Sequence, residues 1–220
     1  VVGQGVQWRP VTPQPVLTDA EVLALGERGW FLRDGLLGSP AALAVHAAVL
    51  ALADAGRLRP AGLGRGAGHR IDEAYRSDAI AWVTDDDVPP GLASLWQAFA
   101  ALRDALNREA HLALGRMEVQ VARYPGGGAA YGRHRDAFAE PAVGYPNRRV
   151  TAIYYPNPAW APADGGALRI HAADGPVDVA PGLDRLLVFL SERVEHEVLP
   201  TRAERWAVTA WLRARAPLGA

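Results

Sequence analysis

From Met117 to Arg213 the chain alternates short apolar segments with breaks containing Gly or Pro, and this pattern narrows the possible folds most sharply. MEVQVARY, RRVTAIYY, ALRIHA, RLLVFL, RVEHEVL and RWAVTAWLR are rich in β-branched and aromatic residues over lengths that suit strands. Upstream of Met117 the periodicity is helical. Thr18 and Glu21 form a capping box ahead of EVLALGERG, and Gly29 is a stop. WFLRDGLL reads as a strand and its turn. Ser39 as N-cap, with Pro40 at the first helical position, starts a helix through AALAVHAAVLALADAG that stops at Gly56. A third helix is predicted from Pro90 to about Leu114, with Leu92, Leu95, Phe99, Leu102 and Leu106 spaced by three and four. Helices followed by a run of antiparallel strands imply an α+β domain. Closing those strands into a jelly roll buries their apolar face and leaves room inside for a metal. The expected organisation is one domain over 1–220, with N-terminal helical support at about 16–115 packed on one sheet of a β-barrel core at about 116–213.

Composition removes several classes of function. Half of the 220 residues are hydrophobic, enough for a sizeable core, and the formal net charge of −1 gives no reason to expect nucleic acid as a partner. The chain has no cysteine, which excludes disulfides, thiolate metal sites and thiol nucleophiles, and which suits a reducing cytoplasm. All 23 basic residues are arginine, so there is neither a Schiff-base lysine nor a P-loop lysine. No apolar run reaches 18 residues, so no membrane span is expected, and the first residues lack a secretory pattern.

Chemistry concentrates in QVARYPGGGAAYGRHRD, residues 120–136. His134 and Asp136 lie two apart in a β-like stretch, so their side chains point the same way, with Arg135 facing opposite. A second histidine, His196, follows 60 residues after Asp136, and Arg205 lies nine beyond it. Two imidazoles and one carboxylate can hold Fe(II) by one face and leave the opposite positions open for substrate and dioxygen. His-x-Asp alone is a weak signal. It gains weight from the Gly126-Gly127-Gly128 turn before it and from the strand-like settings of His196 and Arg205.

Arg205, Ala207, Thr209 and Trp211 share one strand face, and the alternate residues are also apolar, so the strand reads as buried on both faces. A buried guanidinium needs an anionic partner, and a ligand carboxylate gripped by two hydrogen bonds would serve. The remaining histidines, His46, His69, His111 and His171, read as structural. The glycine-rich AGLGRGAGH follows a helix rather than a strand, which disfavours a dinucleotide loop and suggests a surface loop or lid. Asp85-Asp86-Asp87 reads as the approach to a helix N-terminus.

Taken in order, RYPGGGAAYGRHRD, VTAIYYPNPAW, GGALRI, DRLLVFLSERVEHEV and RWAVTAW resemble the Fe(II)- and 2-oxoglutarate-dependent prolyl 4-hydroxylases, in the branch of the hypoxia-inducible-factor type. YRSDAIAWV is similar to that family's Arg-x-Asp-x-Ile-x-Trp segment, and the likeness runs over about residues 16–213. A compact bacterial-style member is the better comparison, since no cysteine-bearing zinc-finger-like region precedes the domain and little chain follows Trp211.

The resemblance implies a double-stranded β-helix with His134, Asp136 and His196 as iron ligands and catalytic centre. It implies that Arg205 binds the distal carboxylate of 2-oxoglutarate, with Tyr155 on the same carboxylate and Tyr124 and Thr209 in the cosubstrate pocket. Arg76, Asp78, Tyr131, Arg148 and Trp211 would border a peptide groove, and the 62–76 stretch would fold over substrate. The implied reaction hydroxylates a prolyl residue, at C4, in a proline-containing protein or peptide. Fe(II) is the cofactor, 2-oxoglutarate and O2 are cosubstrates, succinate and CO2 are released, and ascorbate is a supporting reductant. Two alternatives stay open: an oxygenase of the same fold acting on another side chain or a small metabolite, and a non-catalytic module that senses 2-oxoglutarate and oxygen.

Overall fold

The computed structural model describes residues 16–62, 70–72, 74–139 and 146–215. The 62–76 lid expectation therefore falls partly outside the described residues, as does His69. Three helices, α1 (Asp19–Glu27), α2 (Ser39–Asp54) and α3 (Ala93–Glu109), precede most of the β-structure. The strands are β1 (Trp30–Asp34), β2 (Arg59–Pro60), β3 (Ala79–Val83), β4 (Leu114–Tyr124), β5 (Ala129–His134), β6 (Arg148–Tyr155), β7 (Leu168–Ala172), β8 (Gly175–Val179), β9 (Arg185–Leu190), β10 (His196–Thr201) and β11 (Arg205–Ala214).

They form two antiparallel sheets. The larger runs β1-β9-β6-β11-β4-β3-β2 and the smaller β5-β10-β7-β8. The α+β jelly roll is therefore present, with the helices on one face of the larger sheet.

Strand alternation sorts the side chains of the large sheet. Val150, Ala152 and Tyr154 of β6, Leu186 and Val188 of β9, and Trp206, Val208, Ala210 and Leu212 of β11 meet Val45, Val49, Leu95, Phe99 and Leu106 of the helices in one core. Residues of opposite parity, Ile153, Tyr155, Leu187, Phe189 and Ala207, face inward and pack on Leu168, Ile170 and Val179 of the small sheet. Full burial of each such large side chain is worth about 1.5–3 kcal/mol, so the two-faced strands tie helices, large sheet and small sheet into one unit. The same alternation turns Arg205, Thr209 and Trp211 inward, toward the space between the sheets.

The local signals mostly act as read. Thr18 and Glu21 cap α1 reciprocally, and Gly29 follows the helix at φ 87°. Two expectations fail. Ser39 is not the N-cap of α2: Gly38 holds that position, and the Asp184 carboxylate accepts from the Leu37 and Gly38 N–H groups at 2.9 and 2.8 Å. The third helix ends at Glu109 rather than about Leu114. His111 and Ala113 adopt φ of 53° and 49°, and Asn107 bonds both backbone groups of Leu114, reversing the chain into β4. Strand β8 carries Pro176, which an edge position tolerates because its missing N–H faces no neighbour. Among the described residues no helix is long and apolar enough to cross a membrane.

Candidate active site

The Gly126-Gly127-Gly128 turn returns β4 into β5 with all three glycines at positive φ. At Gly126 a Cβ would sit 2.8 Å from the Arg202 carbonyl, so no side chain fits there. This turn carries the chain from the large sheet to the small one and sets the start of β5. His134 is the last residue of β5, and it pairs in register with His196, the first residue of β10. Asp136 lies beyond the strand end but still turns inward, while Arg135 is exposed. One ligand atom from each of His134, Asp136 and His196 falls within 4.8 Å of the others.

Two of the three donor groups, Asp136 and His196, are held in the state a metal needs. His134 Nδ1 lies 2.8 Å from the Gly132 carbonyl. A carbonyl only accepts, so Nδ1 carries a proton and Nε2 is the nitrogen turned toward the carboxylate, 3.7 Å from Asp136 Oδ1. His196 repeats the arrangement more loosely, with Nδ1 3.4 Å from the Val194 carbonyl and Nε2 3.8 Å from Asp136 Oδ2. Burial, reinforced by His134, pushes His196 down to about 4, so its ring is neutral. Burial would raise the Asp136 pKa, but the His134, His196 and Arg148 side chains around it hold it well below the usual carboxylate range. A neutral imidazole, as at His196, and an ionised carboxylate, as at Asp136, are the ligand forms that bind a divalent cation.

Beside this triad, Arg205 is 2 % exposed. Its Nε donates to the Gly166 carbonyl at 2.8 Å, and its guanidinium carbon lies 4.8 and 5.2 Å from the Tyr124 and Tyr155 ring centres. Gly166 itself is at φ 71°, and a Cβ there would press on Thr201 and on Arg205 Cδ. No carboxylate among the described residues pairs with this cation. The Tyr155 hydroxyl is buried next to the guanidinium without a well-formed hydrogen bond. Burial pushes it up to about 12, against the pull of Arg205 and Arg185, so it stays a donor. A buried cation and a buried orphan hydroxyl side by side fit a carboxylate ligand.

Tyr124, Tyr131, Arg205, Thr209, Trp211, Arg76 and Asp78 line the cavity into which the triad opens, with Ile153, Leu168, Ala207 and Val198 as its apolar walls. Asp78 does not reach the outer groove. It is buried behind Arg76 and grips that guanidinium with two bonds of 2.7 and 3.0 Å. Arg148 lines only the outer groove, where its guanidinium lies 3.6 Å above the Trp211 ring and bonds Glu118.

That groove encloses about 770 Å³ and is walled by Trp82, Trp96, Phe138, Met117 and Arg116 as well. Four residues border both spaces: Arg76, Gln120, Tyr131 and Trp211. They form the portal between the metal cavity and the groove. The Tyr131 ring stacks on His134 at 3.8 Å, and Arg76 lies 4.4 Å from the Tyr131 ring centre. Gln120 escaped the sequence reading. Its parity with Tyr124 on β4 places it on the inner face, so a polar residue at that step of the alternation was the available signal.

Residues 119–213 match the family described as the 2OG-Fe(II) oxygenase superfamily. The crystal structure of a Pseudomonas putida prolyl-4-hydroxylase superposes with a TM-score of 0.78 at 36% identity, covering 89% of this chain and 98% of that one. The chain belongs to the 2OG-Fe(II) oxygenase superfamily. This oxygenase also resembles a Trichoplax adhaerens prolyl hydroxylase, solved with a peptide fragment of hypoxia-inducible factor. The TM-score there is 0.77 at 32% identity, with 88% of this chain and 87% of that one covered. The human Egl nine homolog 1 is 31% identical over 219 residues, 93% of this chain and 48% of that protein. The chain thus spans about half the length of the human relative. The superfamily's description names 2-oxoglutarate and Fe(II), and the buried cation and the donor set fit both.

Proposed function

We propose that this oxygenase hydroxylates prolyl residues in a protein or peptide, at ring carbon C4, consuming 2-oxoglutarate and O2 and releasing succinate and CO2. The observation that carries this reading is the portal. The cavity holding the triad and Arg205 opens through Arg76, Gln120, Tyr131 and Trp211 into an aromatic groove roomy enough for a polypeptide. The likeness to the bacterial prolyl-4-hydroxylase points the same way. An extended prolyl segment suits such a groove, because its fixed φ and missing N–H leave no donor to be satisfied.

In this reading His134, Asp136 and His196 hold the iron. Bound iron, with 2-oxoglutarate and dioxygen, supplies the oxidising power that inserts one oxygen atom into a C–H bond. Arg205 neutralises and orients the distal carboxylate of 2-oxoglutarate, the Tyr155 hydroxyl donates to the same group, and Thr209 and Tyr124 border it. Ile153, Leu168 and Val198 keep water from the reacting atoms. Arg76, fixed by buried Asp78, and Arg148, stacked on Trp211, border the path of the substrate chain. Ascorbate serves as a supporting reductant. We place the reaction in the cytoplasm, on the strength of a chain without cysteine.

The test compares proline-containing peptides with the same peptides carrying Pro→Ala, incubated with enzyme, Fe(II) and 2-oxoglutarate. Succinate formation and a one-oxygen mass gain should follow the proline alone. Equal turnover of both members of each pair would instead make the chain an oxygenase of other side chains or of a small metabolite.

A further inference from the structure

Asp136 is the one member of the triad that no strand holds, and it is met from the opposite sheet. The Thr151 hydroxyl, on β6, lies 2.8 Å from Asp136 Oδ2, and the Ser191 hydroxyl, just past β9, lies 2.8 Å from the Thr151 hydroxyl. Both residues are fully buried, at 0 % exposure. The direction of this chain follows from proton counting. An ionised carboxylate only accepts, so Thr151 spends its single proton on Asp136. Thr151 then has only lone pairs to offer Ser191, so Ser191 donates to Thr151. Two hydroxyl dipoles thus point in series at one carboxylate oxygen.

Ser191 has further ties to this region. Its N–H donates to the Arg149 carbonyl at 3.0 Å, and its own carbonyl accepts from the Ala137 N–H at 3.4 Å, beside Asp136. The backbone around the carboxylate and the hydroxyl chain aimed at it are therefore set by the same residue.

We propose that Thr151 and Ser191 are positioning residues that fix the rotation of the Asp136 carboxylate and restrict it to binding the metal through one oxygen. With one lone pair of Oδ2 engaged by Thr151, Oδ1 is the freer oxygen for the cation, and binding through both oxygens, which would take a position that 2-oxoglutarate or dioxygen needs, is disfavoured. The proposal rests on the reading of Asp136 as a metal ligand and adds to it the groups that orient that ligand.

The test needs no substrate. Mn(II) is titrated into the apoprotein, and Co(II) absorption in the visible range reports coordination number. Thr151→Val keeps the shape and removes the hydroxyl. It should weaken Mn(II) binding by about 10- to 100-fold, the usual effect of removing a group that orients a metal ligand. It should also alter the Co(II) spectrum. Thr151→Ser restores the hydroxyl and should return affinity to within about threefold of the parent. Ser191→Ala, which leaves Thr151 in place, should weaken binding by less than Thr151→Val.

Parent-like Mn(II) affinity and Co(II) spectrum in Thr151→Val would overturn the proposal. So would equal weakening in Thr151→Val and Thr151→Ser, which would mean that packing alone matters. Asp136→Ala in the same titration separates the two readings. If it leaves Mn(II) binding intact, the ligand assignment falls. If it abolishes binding while Thr151→Val does not change it, only the hydroxyl relay falls.

Discussion

Arg205→Lys isolates the part played by the guanidinium. Among the described residues this cation donates to the Gly166 carbonyl and stands over two tyrosine rings. An ammonium group keeps the charge but cannot bond Gly166 and a carboxylate with the same planar fork. A charge-assisted hydrogen bond is worth about 1.5–3 kcal/mol, which is about 10- to 150-fold in 2-oxoglutarate affinity. Arg205→Ala should lose at least that much. The loss can also be read in stability. With 2-oxoglutarate at 100 times its parent Kd, binding stabilises the parent by about 2.7 kcal/mol. A variant weakened 10- to 150-fold gains only about 0.3–1.4 kcal/mol at the same concentration. In a chain of this size 1 kcal/mol moves Tm by about 2–4 °C, so the ligand-induced shift should fall from about 5–11 °C to about 1–6 °C. Calorimetric titration of 2-oxoglutarate into the Mn(II)-loaded protein measures the affinity directly, and Mn(II) binding itself should hardly change. An Arg205→Ala protein that bound 2-oxoglutarate as tightly as the parent would refute the carboxylate assignment.

Replacing either imidazole, by His134→Ala or His196→Ala, should abolish turnover and sharply weaken Fe(II) or Mn(II) binding, and a chelator should silence the parent reversibly. Metal affinity unchanged in both variants would remove the triad assignment. Glu21 is opposed by burial, yet bonds from Arg33 and Thr18 hold its carboxyl below its ordinary pKa. Its contribution is therefore complete above the unfolded value of about 4.3 and is lost as pH falls through the lower folded value. Glu21→Gln should cost about 0.5–1 kcal/mol in urea unfolding at pH 7, and the gap should close in acid; a gap that persisted there would show that charge is not the cause. Gly132→Ala would drive a Cβ into the Tyr75 ring and loosen the backbone bonds that hold residues 75–77 to β5. Peptide turnover should fall while 2-oxoglutarate affinity stays near the parent's, and hydrogen exchange at residues 75–77 should rise.

How much of this was legible depended on whether local pattern or distant packing decided a position. Alternation along RRVTAIYY and RWAVTAWLR matches β6 and β11 closely, and by itself it places Arg205, Thr209 and Trp211 on one face. The His134–Asp136 spacing worked for a partly different reason than expected, since Asp136 lies past the end of β5. The end of α3 and the N-cap of α2 were misread because Asn107 and Asp184 decide them, through bonds to Leu114 in one case and across 147 positions in the other. Thr151 and Ser191 gave no local signal at all. Their meaning arises only when β6, β9 and the loop after β5 are brought together, and no spacing rule describes a hydroxyl that acts from another sheet.

The two halves of the site stand on different supports. The histidines belong to the four-stranded sheet, whereas Arg205, Tyr155, Tyr124 and Thr209 belong to the seven-stranded sheet that the helices back. The candidate site is therefore a gap between two sheets, of which the helices back only the larger, and its geometry is their separation. A few tenths of an ångström of slippage would leave the helices and their core untouched while spoiling the alignment of metal and cosubstrate. Loss of activity should thus run ahead of loss of structure under mild heat or denaturant. Ligands that bridge the two sheets would then act as rivets, holding the jaws at working distance.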